Sequence, residues 1–160
     1  MDLSTIQKLS KKVVSVWRIT AVIVVLIVTL VVAIPTIILI ALVELSIIFI
    51  LLPILLLIVL LVVFVIIIPM IRYKRFSYMV SDDEIVIRYG IFIITHTVVP
   101  MVKIQYTDTT QGPIMRMFKL AAIKVMTAGG TVSIPGLPVN DAESMRDQIT
   151  ALVKTVKENV

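Results

Sequence analysis

Between Ile19 and Ile71 the chain places 53 residues with a single charged position, Glu44. A helix crosses the ~30 Å hydrocarbon core of a bilayer with roughly 20 apolar residues. The run is therefore too long for one crossing and fits two. Its polar break, Val43-Glu44-Leu45-Ser46, predicts a tight turn between a first helix at about 19–43 and a second at about 46–71. The apolar stretch is too long for a cleaved signal peptide, and no small-residue cleavage site follows it. Glu44 is expected in the exposed turn rather than in the lipid. Pro35 and Pro53 lie nine residues on either side of it, and each is expected to bend its helix. The two helices contain no Asn, Gln, His, Lys or Arg, which leaves nothing to hydrate an ion path and argues against a channel or transporter.

Before the run, Leu3, Ile6, Leu9, Val13 and Trp17 fall near helical spacing beside Lys8, Lys11 and Lys12. This predicts a short amphipathic juxtamembrane helix over residues 1–18, lying in the interface. After Arg75 the period shortens to that of strands. Strands are expected at Phe76–Val80, Ile85–Tyr89, Ile91–Val99 and Val102–Thr110, the last with Val102, Ile104 and Tyr106 on one face. Ser81-Asp82-Asp83-Glu84 and Gly90 make the reversals between the first three. Gly112-Pro113 leads into a short helix, Ile114–Phe118. Strands Ala121–Thr127 and Thr131–Ile134 follow, joined at Gly129-Gly130 and ended by Pro135-Gly136-Leu137-Pro138.

Asn140, with Glu143 three residues on, reads as the N-cap of a last helix. In that helix Ala142, Met145, Ile149, Leu152, Val153 and Val156 form one apolar stripe, with Arg146, Lys154 and Lys157 outward. The expected architecture is an α+β membrane protein. A two-helix transmembrane hairpin (19–71) precedes a cytoplasmic domain (72–160), a curved antiparallel sheet of six or seven strands closed by the C-terminal helix.

Charge locates the membrane boundary. Residues 1–75 carry seven basic groups against two acidic ones, whereas residues 76–160 carry eight of each, so the net charge of +5 belongs to the flanks of the apolar run. Lys8, Lys11, Lys12 and Arg18, with Trp17, precede the first helix; Arg72, Lys74 and Arg75 follow the second. By the positive-inside rule both termini are expected in the cytoplasm, giving a multi-pass protein of the cell membrane. These eight residues are the candidate membrane-interface set. A nucleic-acid binder would carry its surplus on the folded domain, so no nucleic-acid partner is expected.

The same inventory narrows the chemistry. There is no cysteine and one histidine, so thiolate catalysis, a zinc knuckle and most metal schemes are excluded. His96 stands alone on its strand. Asp108 among Thr107, Thr109, Thr110 and Gln111 has no base, oxyanion motif or phosphate loop beside it. No enzyme, cofactor or metal is expected. The apolar stretch Ile114, Met115, Arg116, Met117, Phe118 is the candidate partner-binding patch: about half is expected in the core, the rest free to meet a partner or the bilayer.

Val99-Pro100-Met101-Val102-Lys103-Ile104-Gln105, Gln111-Gly112-Pro113-Ile114-Met115-Arg116-Met117-Phe118, Thr127-Ala128-Gly129-Gly130 and Ile134-Pro135-Gly136-Leu137 resemble the bacterial pleckstrin-homology-like domain of the YdbS type. The resemblance covers roughly 73–155. With the two preceding helices and the Trp17-Arg18 pair that opens the first, it extends over nearly the whole chain. One position departs: the family usually has glycine after the Phe of the short helix, and here Lys119 follows Phe118.

The resemblance implies a pleckstrin-homology-like barrel. It also implies assembly with itself or with a longer membrane protein carrying similar domains, in envelope maintenance or immunity to membrane-active bacteriocins. An accessory subunit of an export complex and a lipid sensor working through residues 1–18 are the alternative readings. Eukaryotic relatives of the fold bind phosphoinositides through a basic loop between their first two strands. Here that loop is Ser81-Asp82-Asp83-Glu84, and three carboxylates repel a polyphosphate, so no phosphoinositide binding by that route is expected.

Overall fold

A computed structural model of the chain describes residues 6–43 and 48–158. The expected turn residues Glu44, Leu45 and Ser46 lie outside the described residues. Two compact units emerge: Met1–Val16 with Ile71–Val160, and Trp17–Met70. The hairpin is thus an insertion within a domain whose sequence lies on both sides of it.

In the hairpin unit, α1 (Lys12–Val43) is one helix of 32 residues, which at about 1.5 Å per residue is long enough to cross a bilayer. The return run is helical from α2 (Ile48–Leu61) through a π-helical turn (Val62–Ile67) to α3 (Ile68–Arg75). Lys12–Ile38 and Pro53–Arg75 are each long and apolar enough to span a membrane, and only 6% of either apolar window is buried. Helices so bare of protein contact are not the core helices of a soluble fold. Pro35 and Pro53 sit inside α1 and α2. The π-helical turn has a local cause: Pro69 clashes with the carbonyl four residues back in a regular helix, and the wider turn just before it relieves that clash. The Ile68 N–H donates to the Val63 carbonyl, the five-residue spacing of such a turn.

The domain unit holds six strands in two three-stranded antiparallel sheets. The first is β1 (Ser77–Val80), β2 (Glu84–Tyr89) and β3 (Thr95–Pro100) in sequence order. The second is β4 (Ile104–Thr110), β5 (Leu120–Thr127) and β6 (Gly130–Pro138), also in order. A single 3-10 turn, Met101–Lys103, joins the sheets, and α4 (Pro113–Met117) joins β4 to β5. α5 (Val139–Glu158) closes the chain.

The core is aliphatic. Ile85, Ile87, Met101, Ile104, Leu120, Ile123, Ile134 and Ile149 are essentially inaccessible. Of the stripe expected on α5, Ala142, Met145, Ile149 and Val153 are buried, while Leu152 and Val156 are half-buried. Thr107 Oγ1 and Thr150 Oγ1, 2.9 Å apart, tie β4 to α5.

Five expectations are corrected. Residues 6–10 are not helical; the helix begins at Lys12. The reason is a tertiary partner that helical spacing cannot register, because the segment pairs with β1. The expected third strand, Ile91–Val99, begins only at Thr95, and residues 91–93 form a bend. Val102 lies in the 3-10 turn, and a β-bulge between Ile104 and Tyr106 breaks the alternation, so Val102 and Tyr106 are exposed while Ile104 is buried. Pro135–Pro138 do not end the last strand but belong to it. The last helix accordingly starts at Val139, one residue before the expected cap Asn140.

Candidate membrane-proximal and partner-binding surfaces

The segment ahead of α1 closes the domain. The Gln7 N–H donates to the Tyr78 carbonyl (2.8 Å) and the Tyr78 N–H to the Gln7 carbonyl (3.1 Å), extending the first sheet at its β1 edge. Three residues on, the Ser10 N–H donates to the Gly136 carbonyl on β6 at 3.1 Å. Leu9, between these attachments, and Val13, just beyond the second, are buried. One short segment therefore links the two sheets, and α1 grows directly out of it. At the other junction α3 ends at Arg75 and β1 begins at Ser77, leaving Phe76, itself buried, as the only connecting residue.

Of the candidate interface residues, Lys8, Lys11, Lys12, Arg72, Lys74 and Arg75 are exposed, and Trp17 and Arg18 are half-buried. Lys8, Lys11, Lys12, Arg72, Lys74 and Arg75 fall in the domain unit, while Trp17 and Arg18 open the hairpin unit. The Arg75 guanidinium donates to the Ile91 carbonyl, fastening the last turn of α3 to the β2–β3 connection.

In the candidate patch none of the five residues is fully buried. Ile114, Met115 and Phe118 are half-buried, Arg116 is exposed, and Met117 is 77% exposed. The expectation that half the patch belongs to the core is met only by partial burial. Arg116 and Phe118, on either side of Met117 in sequence, line a cavity of about 650 Å³ together with Lys12, Gln111, Lys119 and Asn140. Lys12, Arg116 and Lys119 give it a positive rim. Among the described residues, the Arg146–Asp147 ion pair involves none of the three.

Lys119, the departure from the usual glycine, has φ of 55°. The left-handed turn is thus kept by a residue that pays for it sterically. Its N–H donates to the Arg116 carbonyl and its carbonyl accepts from the Val139 N–H (3.1 and 3.2 Å), joining the end of α4 to the start of α5.

The acidic turn is a closed local structure. The Ser81 N–H and Oγ both donate to the Glu84 carbonyl (2.9 and 2.8 Å), while Asp82 and Asp83 face solvent. The Met101 N–H donates to the Asp83 carbonyl at 2.8 Å, anchoring the 3-10 turn. His96 is exposed on β3 opposite Arg88 of β2, and Asp108 pairs across β4–β5 with Lys124.

The feature that sequence reasoning missed is the β2–β3 connection. Phe92 is 94% and Ile93 81% exposed, the highest values among the large apolar side chains described. The signal was present in Gly90 followed by four apolar residues, but strand propensity concealed it.

Residues 9–153 match the family described as Bacterial PH domain. The chain is similar to the UPF0699 transmembrane protein YdbS of Bacillus subtilis (strain 168), 40% identical over 92 residues that cover 58% of each chain. It is also similar to the UPF0699 transmembrane protein YdbT of the same organism, 28% identical over 94 residues, 56% of this chain and 19% of that one. The alignments thus span 58% and 19% of the two relatives' lengths. No solved structure matches. Because the family match runs from the segment before α1, through the hairpin, to the buried face of α5, the chain belongs to the bacterial PH domain family, as a YdbS-like member.

Proposed function

We propose that the protein is a non-enzymatic, membrane-anchored interaction module. Its hairpin holds a pleckstrin-homology-like domain against the cytoplasmic leaflet, with both termini in the cytoplasm. One observation carries the reading: the domain is assembled from both chain segments that flank the hairpin. Residues on the two sides of a two-span insertion fold together only if they lie on the same side of the bilayer. The basic residues at both junctions support the cytoplasmic side as that side.

The partner is a second copy or a longer membrane protein carrying similar domains, and the work of the complex is envelope protection, including resistance to membrane-active bacteriocins. The surface that fits this role is the end of α4, which carries exposed Met117 and, with Arg116, lines the cleft that Lys12 and Lys119 share. An apolar anchor within a positive rim suits an acidic protein surface. Sensing of lipid by residues 1–18 as a free amphipathic helix is disfavoured, because residues 7–13 are engaged with the sheets.

The test is purification of the tagged full chain from its own membranes in mild detergent. Recovery of a multi-domain relative, lost on Met117→Asp with Arg116→Glu, is expected. Recovery with a transport ATPase instead favours the export reading, and a monomer alone removes the assembly reading. Deletion of the gene is expected to raise bacteriocin sensitivity, and unchanged sensitivity removes the protection role.

A further inference from the structure

The β2–β3 connection, residues 90–94, reads Gly-Ile-Phe-Ile-Ile and offers no polar side chain to water. Its shape is built in. Gly90 has φ of +135°, and a Cβ there would lie 2.9 Å from the Ile93 carbonyl carbon and closer still to its oxygen. Only glycine permits this reversal, which carries Phe92 and Ile93 to the tip.

What the tip meets follows from its attachment. The Ile91 carbonyl accepts from the Arg75 guanidinium. Arg75 is the last residue of the apolar span Pro53–Arg75 and lies four residues beyond Ile71, where the uncharged run stops. Four residues of helix advance about 6 Å, and the headgroup layer of each leaflet is roughly 5–8 Å thick. Arg75 therefore stands at headgroup depth. Phe92 and Ile93 are one and two residues from Ile91, a reach of at most about 7 Å, enough to bring their side chains to the acyl boundary. An apolar tip fastened to Arg75, at the end of a helix turn that also carries Arg72 and Lys74, has the make-up of an interfacial anchor.

We infer that the Ile91–Ile94 loop inserts into the leaflet on the domain's side as a third membrane anchor, with Phe92 and Ile93 among the lipid chains. The inference uses the membrane reading of the hairpin and is independent of the partner proposed above. It sets the orientation of the domain on the bilayer: the β2–β3 end faces lipid, and the opposite, acidic end of β2 at Ser81–Glu84 faces water.

Because the chain has no cysteine, single spin labels test this in the full protein. Phe92→Cys, Ile93→Cys, Ile58→Cys and Asp82→Cys would be labelled and reconstituted separately in vesicles of phosphatidylethanolamine and phosphatidylglycerol. Accessibility to dissolved oxygen and to a water-soluble nickel chelate is then compared. Oxygen is expected to dominate at 92 and 93, as at 58 within the hairpin, and nickel at 82. Nickel access at 92 and 93 equal to that at 82, with 58 still oxygen-dominated, overturns the loop anchor while leaving the hairpin intact. Water access at 58 as well overturns the membrane reading itself. Exclusion of both reagents at 92, with spin–spin broadening between chains, means the tip meets a second copy and also overturns the inference. As an independent readout, Phe92→Asp with Ile93→Asp is expected to restore nickel access at a label placed at Ile94 at least several-fold while leaving Tm in detergent unchanged. No gain in access refutes insertion.

Discussion

The Tyr78 hydroxyl donates to Gln7 Oε1 at 2.8 Å, at a sequence separation of 71. Their backbones are also paired in both directions, so the side-chain bond locks a strand pairing at the edge of the first sheet. Tyr78→Phe keeps the ring and removes the donor, leaving the Gln7 amide oxygen without this partner. A loss of about 1 kcal/mol is expected in denaturant unfolding of the detergent-solubilised protein.

The same hydroxyl makes stability depend on alkaline pH. Burial first, and the negative charge of Asp141 second, push its pKa from the ordinary 10.0 up to about 12. In that interval the unfolded state releases the phenolic proton while the folded state holds it, so folding loses free energy as pH rises. The contribution is fully present below pH 10 and gone above 12. Wild-type Tm is expected to fall more steeply than that of Tyr78→Phe between pH 10 and 12, with parallel profiles below 9. Parallel profiles throughout would show that this hydroxyl titrates normally.

Gly136 carries the second attachment of the N-terminal segment. Its φ is +71°, and an added Cβ would lie 2.5 Å from Val13 Cβ and nearer still to one of its methyls. Gly136→Ala is therefore expected to cost about 2–3 kcal/mol. Val13→Gly alone leaves a cavity, yet in the double variant it removes both the Cβ and the methyls that the new methyl would strike, so the two losses are expected to sum to more than the pair. Simple additivity would place the strain elsewhere.

At Lys119 the sign reverses. A lysine at φ of 55° bears a steric penalty that glycine does not, partly offset by the greater freedom of glycine in the unfolded chain. Lys119→Gly is expected to stabilise by about 0.5–1 kcal/mol, while Lys119→Ala is neutral or destabilising. The glycine variant also removes one charge from the cleft it shares with Lys12 and Arg116, so weakened partner recovery alongside higher stability would separate binding from folding.

On α5 the two faces are expected to differ sharply. Ile149 is fully buried, and truncation to alanine is expected to cost about 3 kcal/mol. The Arg146–Asp147 pair, 2.7 Å apart, lies on the exposed surface, so Asp147→Asn is expected to leave Tm unchanged within error.

The last helix was legible because its stripe depends on the chain's own period: four of the six expected positions are buried and the other two half-buried. The hairpin was legible for the same reason, since 53 residues with one charge need no tertiary partner to be understood. Gln7–Val13 was not. Leu9 and Val13 carry helical spacing, but Leu9 lies in an extended stretch whose hydrogen-bonding edge is supplied by residues more than 60 positions away. Ile91–Ile94 failed differently, because apolar residues of high strand propensity look the same whether they face a core or a lipid. The patch on α4 was expected to be half core, yet none of its five residues is fully buried, and nothing local revealed that Lys12 would join Arg116 and Lys119 at one cleft.

That a lipid-embedded insertion separates Gln7 from Tyr78 has a consequence for biogenesis. The ribosome delivers Gln7 and Val13 long before β1 or β6 exists, so the nascent N-terminal arm must wait, unpaired, while both spans are handed to the insertion machinery. A misinserted hairpin would strand the arm on the far side of the membrane and leave the sheets unjoined.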